Sequence, residues 1–418
     1  MRGRMTVHWI LGIFILLCAS GFALHGNIAR EESRLGTVSI EGLKRTKETV
    51  VRSIIALEEG AIITDEKLQR VEQDLLKSGI FSSVVVQRDD DALAKTTDIT
   101  VHLTEKWSLI PVPYFASDGS SLSGGVFLIE SNLLGYNTFL LSALYGGTES
   151  GLRGLLVFSN PSLAGSAWSL SAIGGFGRTT VTNELPDGTR IRSYETNYMQ
   201  MGVGLGYAWN SLIRTEGRVR FRDWNLISFT GGLDTHDLSD MRYGEPEITL
   251  RYENTRLSHV LLVGTSVSVS GRTIVPHGGW ELSGAFTWSM PLQGNHRLQV
   301  LISGGYGDMP ALAETSIGAQ DGYRTLPFQN STADRWASAS ARYDIPLYFG
   351  SWGVPVITPY WETGVYATEL FSAHPFYGPG VGFRVYLRRI ALPALGADIA
   401  YNVPDDYWSF SITVGMPM

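Results

Sequence analysis

The chain has 418 residues, of which 44% are hydrophobic, 11% aromatic and 17% charged, with 47 glycines and a formal net charge of −7. The charged share lies below the roughly 25% of ordinary soluble domains while glycine is enriched, which suits many small-residue strand positions. An acidic chain without a basic stripe gains little from counterion release, so nucleic acid is excluded as a partner.

Residues 1–23 read as a secretion signal. Arg2 and Arg4 precede the apolar run Trp9 to Leu17, and Gly21-Phe22-Ala23 forms a small-residue site with cleavage expected near Ala23. That apolar core is shorter than the ~20 residues a spanning helix needs. The single cysteine, Cys18, follows Leu17 inside this segment, whereas a lipid-modified cysteine follows a small residue. The mature chain is therefore expected to lack a thiol, which excludes disulfides and thiol catalysis. With no other long apolar run, membrane insertion must be as a barrel.

Residues 35–106 predict a small α/β module in the order strand, helix, helix, strand, strand (βααββ). Gly36 to Ile40 is the first strand, and Glu41-Gly42-Leu43 a turn. Val50, Val51, Ile54 and Ile55 recur at helical spacing, as do Leu68, Val71, Leu75 and Leu76 after Thr64, a candidate N-cap with Asp65 and Glu66 in the first turn. Gly79 ends that helix. Ser83 to Arg88 and Asp98 to Leu103 are the last two strands, with Asp89-Asp90-Asp91 opening the loop between them.

Val38-Ser39-Ile40-Glu41-Gly42-Leu43, Leu75-Leu76-Lys77-Ser78-Gly79-Ile80-Phe81 and Val101-His102-Leu103-Thr104-Glu105 resemble a polypeptide-transport-associated (POTRA) domain. A short sheet leaves an unpaired edge, which a protein must blunt or use. The resemblance implies use, an extended client strand being added by β-augmentation. The candidate edge is Val84, Val85 and Val86; the alternative is plain core packing.

From Trp107 to Met418 the hydrophobic period is two. In Leu109-Ile110-Pro111-Val112-Pro113-Tyr114-Phe115 the prolines delete two donors from one strand edge, so this is an edge strand. If that edge faces the last strand, Pro111 and Pro113 would meet Ser411, Thr413 and Gly415 across a hydrogen-bond-poor seam. The alternatives aim the prolines at the second strand or make the stretch a stiff linker. Trp408, Phe410, Ile412 and Val414 alternate with Ser409, Ser411, Thr413 and Gly415, and Val381, Phe383 and Val385 with Gly380, Gly382 and Arg384. Apolar-out, polar-in strands of ~10 residues with Trp and Tyr at their ends predict a transmembrane β-barrel of about 16 antiparallel strands over residues 107–418.

Glu130-Ser131-Asn132-Leu133-Leu134-Gly135-Tyr136, Ser159-Asn160-Pro161, Ala341-Arg342-Tyr343-Asp344-Ile345-Pro346-Leu347 and Gly378-Pro379-Gly380-Val381-Gly382-Phe383-Arg384 are similar to the bacterial surface antigen barrel of BamA-like proteins. The family's lumen loop carries an Arg-Gly-aromatic tip. Here Asp321-Gly322-Tyr323-Arg324-Thr325-Leu326-Pro327-Phe328 departs from it, and the chain ends in Met418 rather than an aromatic residue. Arg324 is expected to fold into the lumen and pair with Glu362 and Asp398, which alternation turns inward; the alternative is a solvated loop arginine.

The resemblance implies an outer-membrane protein of a Gram-negative-type bacterium, its POTRA domain in the periplasm, handling unfolded or extended polypeptide clients. The bilayer and periplasmic or lipoprotein partners complete its surroundings. A transport pore or structural barrel with a docking POTRA domain is the second reading, and a two-partner secretion pore the third. The scattered histidines show no metal-ligand spacing, and no phosphate loop or nucleophile elbow is present. No cofactor, metal or catalytic residue is expected, and no enzymatic activity.

Overall fold

A computed structural model describes residues 33–91, 96–117, 122–147, 151–185, 189–234, 238–319, 322–326, 331–369, 373–390 and 394–414. The stretch expected to be a secretion signal, residues 1–23, and Gly415, Pro327 and Phe328 lie outside them. The N-terminal module comprises β1 (Ser33–Glu41), α1 (Glu48–Ile55), β2 (Ile62–Ile63), α2 (Asp65–Lys77), β3 (Phe81–Asp91) and β4 (Thr96–Glu105). Its sheet has four strands in the order β2-β1-β4-β3, with β1 parallel to β4 and β3 antiparallel to it. The expected three-strand sheet thus gains β2, whose two residues are too few to show a period. The expected loop at Asp89 is also corrected, because β3 runs on to Asp91.

Local chemistry accounts for these elements. The Thr64 side chain accepts the Lys67 N–H at 3.2 Å, capping α2, with Asp65 and Glu66 in its first turn and Lys77 in its last. Both helices lay apolar stripes on one sheet face, where Val51 and Leu75 are wholly buried with Phe81, Val84, Ile99, Val101 and Leu103. Burying each large aliphatic side chain contributes about 1.5–3 kcal/mol.

The barrel strands are β5 (Leu109–Ser117), β6 (Leu122–Glu130), β7 (Phe139–Gly147), β8 (Gly151–Asn160), β9 (Trp168–Glu184), β10 (Arg190–Ala208), β11 (Ile213–Gly231), β12 (Met241–Ser258), β13 (Leu261–Thr273), β14 (Trp280–Pro291) and β15 (Arg297–Asp308). After the two-stranded ribbon of β16 (Thr315–Ile317) and β17 (Ser331–Ala333) come β18 (Arg335–Pro346), β19 (Gly353–Ala367), β20 (His374–Leu387), β21 (Ala394–Asn402) and β22 (Tyr407–Val414). Apart from the ribbon, these strands form one sixteen-stranded sheet in sequential order, each antiparallel to its neighbour. Val203, Val219, Ile248, Leu282, Phe383 and Ile412 are exposed on its outer face, as a wall in hydrocarbon requires. Among the described residues no helix is long and apolar enough to cross a membrane.

The module lies against the barrel turns on the side where the chain enters β5. Arg45 donates to Ser108 at 3.0 Å and to Glu130 at 3.2 Å, and Lys47 N–H to Gly135 O at 2.9 Å. On its other flank Leu257 N–H donates to Gln73 at 2.8 Å and Lys77 Nζ to Thr255 O at 3.0 Å. Gly135 permits this approach, because it holds φ +84° and a Cβ there would lie 2.2 Å from Arg45 O. A Gly135→Ala variant is expected to incur about 1–2 kcal/mol of left-handed strain in addition to that clash. Limited proteolysis should cut residues 33–106 faster than in the wild type while the barrel stays intact.

Glu105 organises the docking turn by accepting the N–H groups of Lys44 (3.1 Å), Arg45 (3.1 Å) and Thr46 (2.8 Å). Burial acts to raise its pKa, but the amides and the Thr46 hydroxyl outweigh burial and hold the carboxyl below its usual range. A depressed folded pKa contributes stability above the unfolded value that is lost as pH falls through the folded one. Docking is therefore expected to loosen on acidification below the ordinary carboxylate range, and Glu105→Gln to abolish that acid step in a proteolysis-versus-pH series.

Candidate functional site

The fold places three sequence features: the free strand of the module, the two ends of the barrel sheet, and the loop between β15 and β18. Strand β3 pairs with β4 alone among the described residues, so its other edge is open. Val84 is buried and Val86 packs on the core, whereas Val85 turns outward, 49% exposed. Of the expected trio, only Val85 therefore presents its side chain, while all three lie on the open backbone edge.

At the barrel ends, no ladder joins β5 to β22 among the described residues. In the ladder to β6, Ser131 N–H donates to Ser108 O at 3.1 Å. By the alternation of antiparallel pairs, Ile110 and Val112 then turn their backbone groups to β6, while Pro111 and Pro113 turn theirs to the open edge. On β22, Ser411 lies opposite Asp398 and Thr413 opposite Gly396 in the ladder to β21. Ser411 is buried on the inner face while Phe410 and Ile412 are exposed on the outer one. At the module end, Trp107 N–H donates to Arg389 O at 2.9 Å and Trp107 bridges Ile390.

Inside the barrel, Arg324 is buried and its Nε lies 3.1 Å from Asp398. Arg384 grips the same carboxylate with both oxygens at 2.8 Å. Glu362 receives the neighbour instead, accepting the Thr325 N–H and hydroxyl, each at 2.8 Å. The Ser409 hydroxyl donates to Arg324 O. The loop thus meets β19, β20, β21 and β22, and Ile317, Leu326, Ala333, Trp336, Tyr366 and Phe376 form an apolar cluster beside it.

Comparison with known proteins bears on the fold. Residues 33–106 match the POTRA family model, described as surface antigen variable number repeat. Among solved structures, BamA from Haemophilus ducreyi lacking POTRA domains 1–3 is similar at 13% identity and TM-score 0.52, over 91% of this chain and 84% of that one. CdiB from Acinetobacter baumannii is similar at 12% identity and TM-score 0.60, over 92% and 74%. In fold, this chain is a POTRA domain joined to a BamA-like barrel. CdiB from Escherichia coli is also similar, at 10% identity and TM-score 0.53, over 95% and 92%. No curated protein matches the chain.

The BamA-like barrel departs from the polar-in expectation on one wall. The register sets Ile110, Ile129, Leu141, Val157 and Ile173 in one inward row across β5 to β9, and Val112, Phe127, Ala143 and Leu155 in the next. The first row continues to Gly202 and Arg220 and the second to Gly175, Gln200 and Arg222, where a charged wall begins: Arg220 pairs with Glu245 and Glu247, and Arg272 with Glu245 and Glu281. Arg192, bound to Asp234 and Glu314, anchors the extended loop.

Sequence reasoning missed Arg384, Thr325 and Ser409 as members of the lumen node. Alternation puts Arg384 and Asp398 on inward faces of consecutive strands, so that pair was open to inference, whereas the loop contacts depend on its path. Arg324→Ala leaves Asp398 its two bonds to Arg384 and should cost about 1–3 kcal/mol. Asp398→Ala strands two buried guanidinium groups and should cost about 3–5 kcal/mol. Unfolding midpoints in detergent check that order; an Arg324→Ala protein as labile as Asp398→Ala would contradict it.

Proposed function

We propose that this protein handles extended polypeptides at the outer membrane of a Gram-negative-type bacterium, with its POTRA domain in the periplasm. Clients are received on the open edge of β3 and inserted or passed at the junction of β5 and β22. The observation that carries this reading is that the sixteen-stranded sheet ends in two strands with no ladder between them among the described residues. A strand arriving there can pair with an end strand of the sheet, and because Pro111 and Pro113 offer no donor, the β5 edge holds a partner less tightly than an unbroken one. Association by backbone hydrogen bonds tolerates varied side chains and needs no cofactor or catalytic group. The bilayer is the second partner, and further periplasmic or lipoprotein partners would meet the POTRA domain.

A passive pore is the competing reading. Against it stand the lumen loop held by Asp398 and Glu362 and the POTRA domain docked on the barrel turns.

Cysteine pairs test the seam. Val112 would be joined in separate variants to Ser411 and to Thr413, and the control would join Val126 to Leu144, which lie directly opposite each other. Cross-linking at the seam is expected to abolish client insertion or passage, reversibly on reduction, with the control unaffected. Full activity with the seam fully cross-linked would leave the passive barrel as the better reading.

A further inference from the structure

Between the POTRA domain and the barrel lies a cavity of about 360 Å³. It is walled by the end of α2, the first residues of β3, Lys106 and the barrel turns beyond β12 and β20. Leu76, Phe81, Leu257 and Tyr386 give it apolar surface, large enough for one side chain. Its charges are unequal in their commitments. Lys77 already donates to Thr255 O and lies 3.9 Å from Glu253, and Arg388 donates to Gly350 O at 3.5 Å. Glu72 and Glu253 are the carboxylates on the wall. The Lys106 backbone N–H donates to Ile80 O at 2.8 Å, but its ammonium has no hydrogen bond or ion pair among the described residues, and burial pushes the ammonium pKa below the ordinary value. A partly desolvated cation without a partner is costly and is relieved by an anion.

The position of this cation relative to the open edge gives it direction. Strand β3 begins at the cavity with Phe81 and ends at Asp89, Asp90 and Asp91. A strand added antiparallel to β3 starts beside those aspartates and ends at the cavity. One added parallel would bring its N-terminal ammonium to Lys106. Charge therefore favours the antiparallel guest, at both ends of the edge.

We propose that this cavity takes the C-terminal carboxylate of an extended polypeptide lying antiparallel on β3, with Lys106 as its counter-ion and Leu76 and Phe81 against its last side chain. The inference rests on the reading of β3 as the client edge and adds which end of the client is recognised.

The test uses the full chain in detergent and a ten-residue peptide of alternating threonine and valine ending in leucine, offered as free acid and as C-terminal amide. The acid is expected to bind on the order of tenfold more tightly, the gain of one hydrogen bond to a charged group. Lys106→Gln should bring the acid down to the amide's affinity, and Lys106→Arg should keep the preference. Because N–H directions alternate along a strand, one of Val85→Pro and Val86→Pro must remove an outward donor, and that variant should weaken both peptides. Equal binding of acid and amide by the wild type, with both weakened by a proline variant, would overturn the carboxylate site and leave the edge reading standing. Failure of both peptides to bind, or indifference to both prolines, would remove the edge reading and this inference with it. Tight binding of a short-chain phosphatidylglycerol lost in Lys106→Gln, with the peptides equal, would assign the cavity to lipid headgroups and also overturn the proposal.

Discussion

An amide left without a partner in hydrocarbon costs several kcal/mol, and this constraint governs where the barrel can hold and where it can give. From β5 to β22 each strand is laddered to the next, so the wall cannot part along those lines without exposing whole rows of backbone groups. At the remaining junction that cost is already reduced, because Pro111 and Pro113 have no donor to lose. The POTRA domain is tied to the turn after β6 through Arg45, Lys47 and Gly135, so its position is mechanically coupled to the strand beside that junction.

The two flanks of the junction differ in chemistry. On the β22 side, Glu362, Asp398 and Ser409 bind one loop segment to three strands, β19, β21 and β22. Buried charges paired this way are stiff, since separating them leaves unpaired charge in a low-dielectric interior. On the β5 side, the inward rows are aliphatic and aromatic, and such contacts can be remade in several arrangements at small cost. One flank is therefore a fixed jamb and the other a pliable one.

Much of this architecture was legible because a two-residue period survives wherever one strand face meets lipid and the other does not. The expected count of about 16 antiparallel strands over residues 107–418 matches the sixteen-stranded sheet. The inward placement of Asp398 and Glu362 followed from the same parity. What escaped depends on contacts distant in sequence. The pairing of Ile62 with Arg34 makes a strand of two residues, and the choice of Thr325 rather than Arg324 by Glu362 follows from how the loop descends. The apolar inner rows were hidden for a different reason: runs such as Val126-Phe127-Leu128-Ile129 and Leu155-Leu156-Val157-Phe158 have no polar face to alternate with.

Those unbroken apolar runs also bear on how the wall finds its alignment. Where faces differ, sliding a strand by one residue drives polar groups into lipid, and the error is strongly penalised. Sliding β7 by one residue exchanges one largely apolar set of side chains for another, so hydrophobicity scarcely distinguishes its right alignment from the neighbouring ones. The choice must then come from the turns. Those after β6 and β8 each carry a glycine at positive φ, Gly135 and Gly165, set against Arg45 and Ser53 of the POTRA domain. The POTRA domain thus acts as a template that indexes the first strands, and the barrel's least self-specifying region is the one held at its turns by a separate domain.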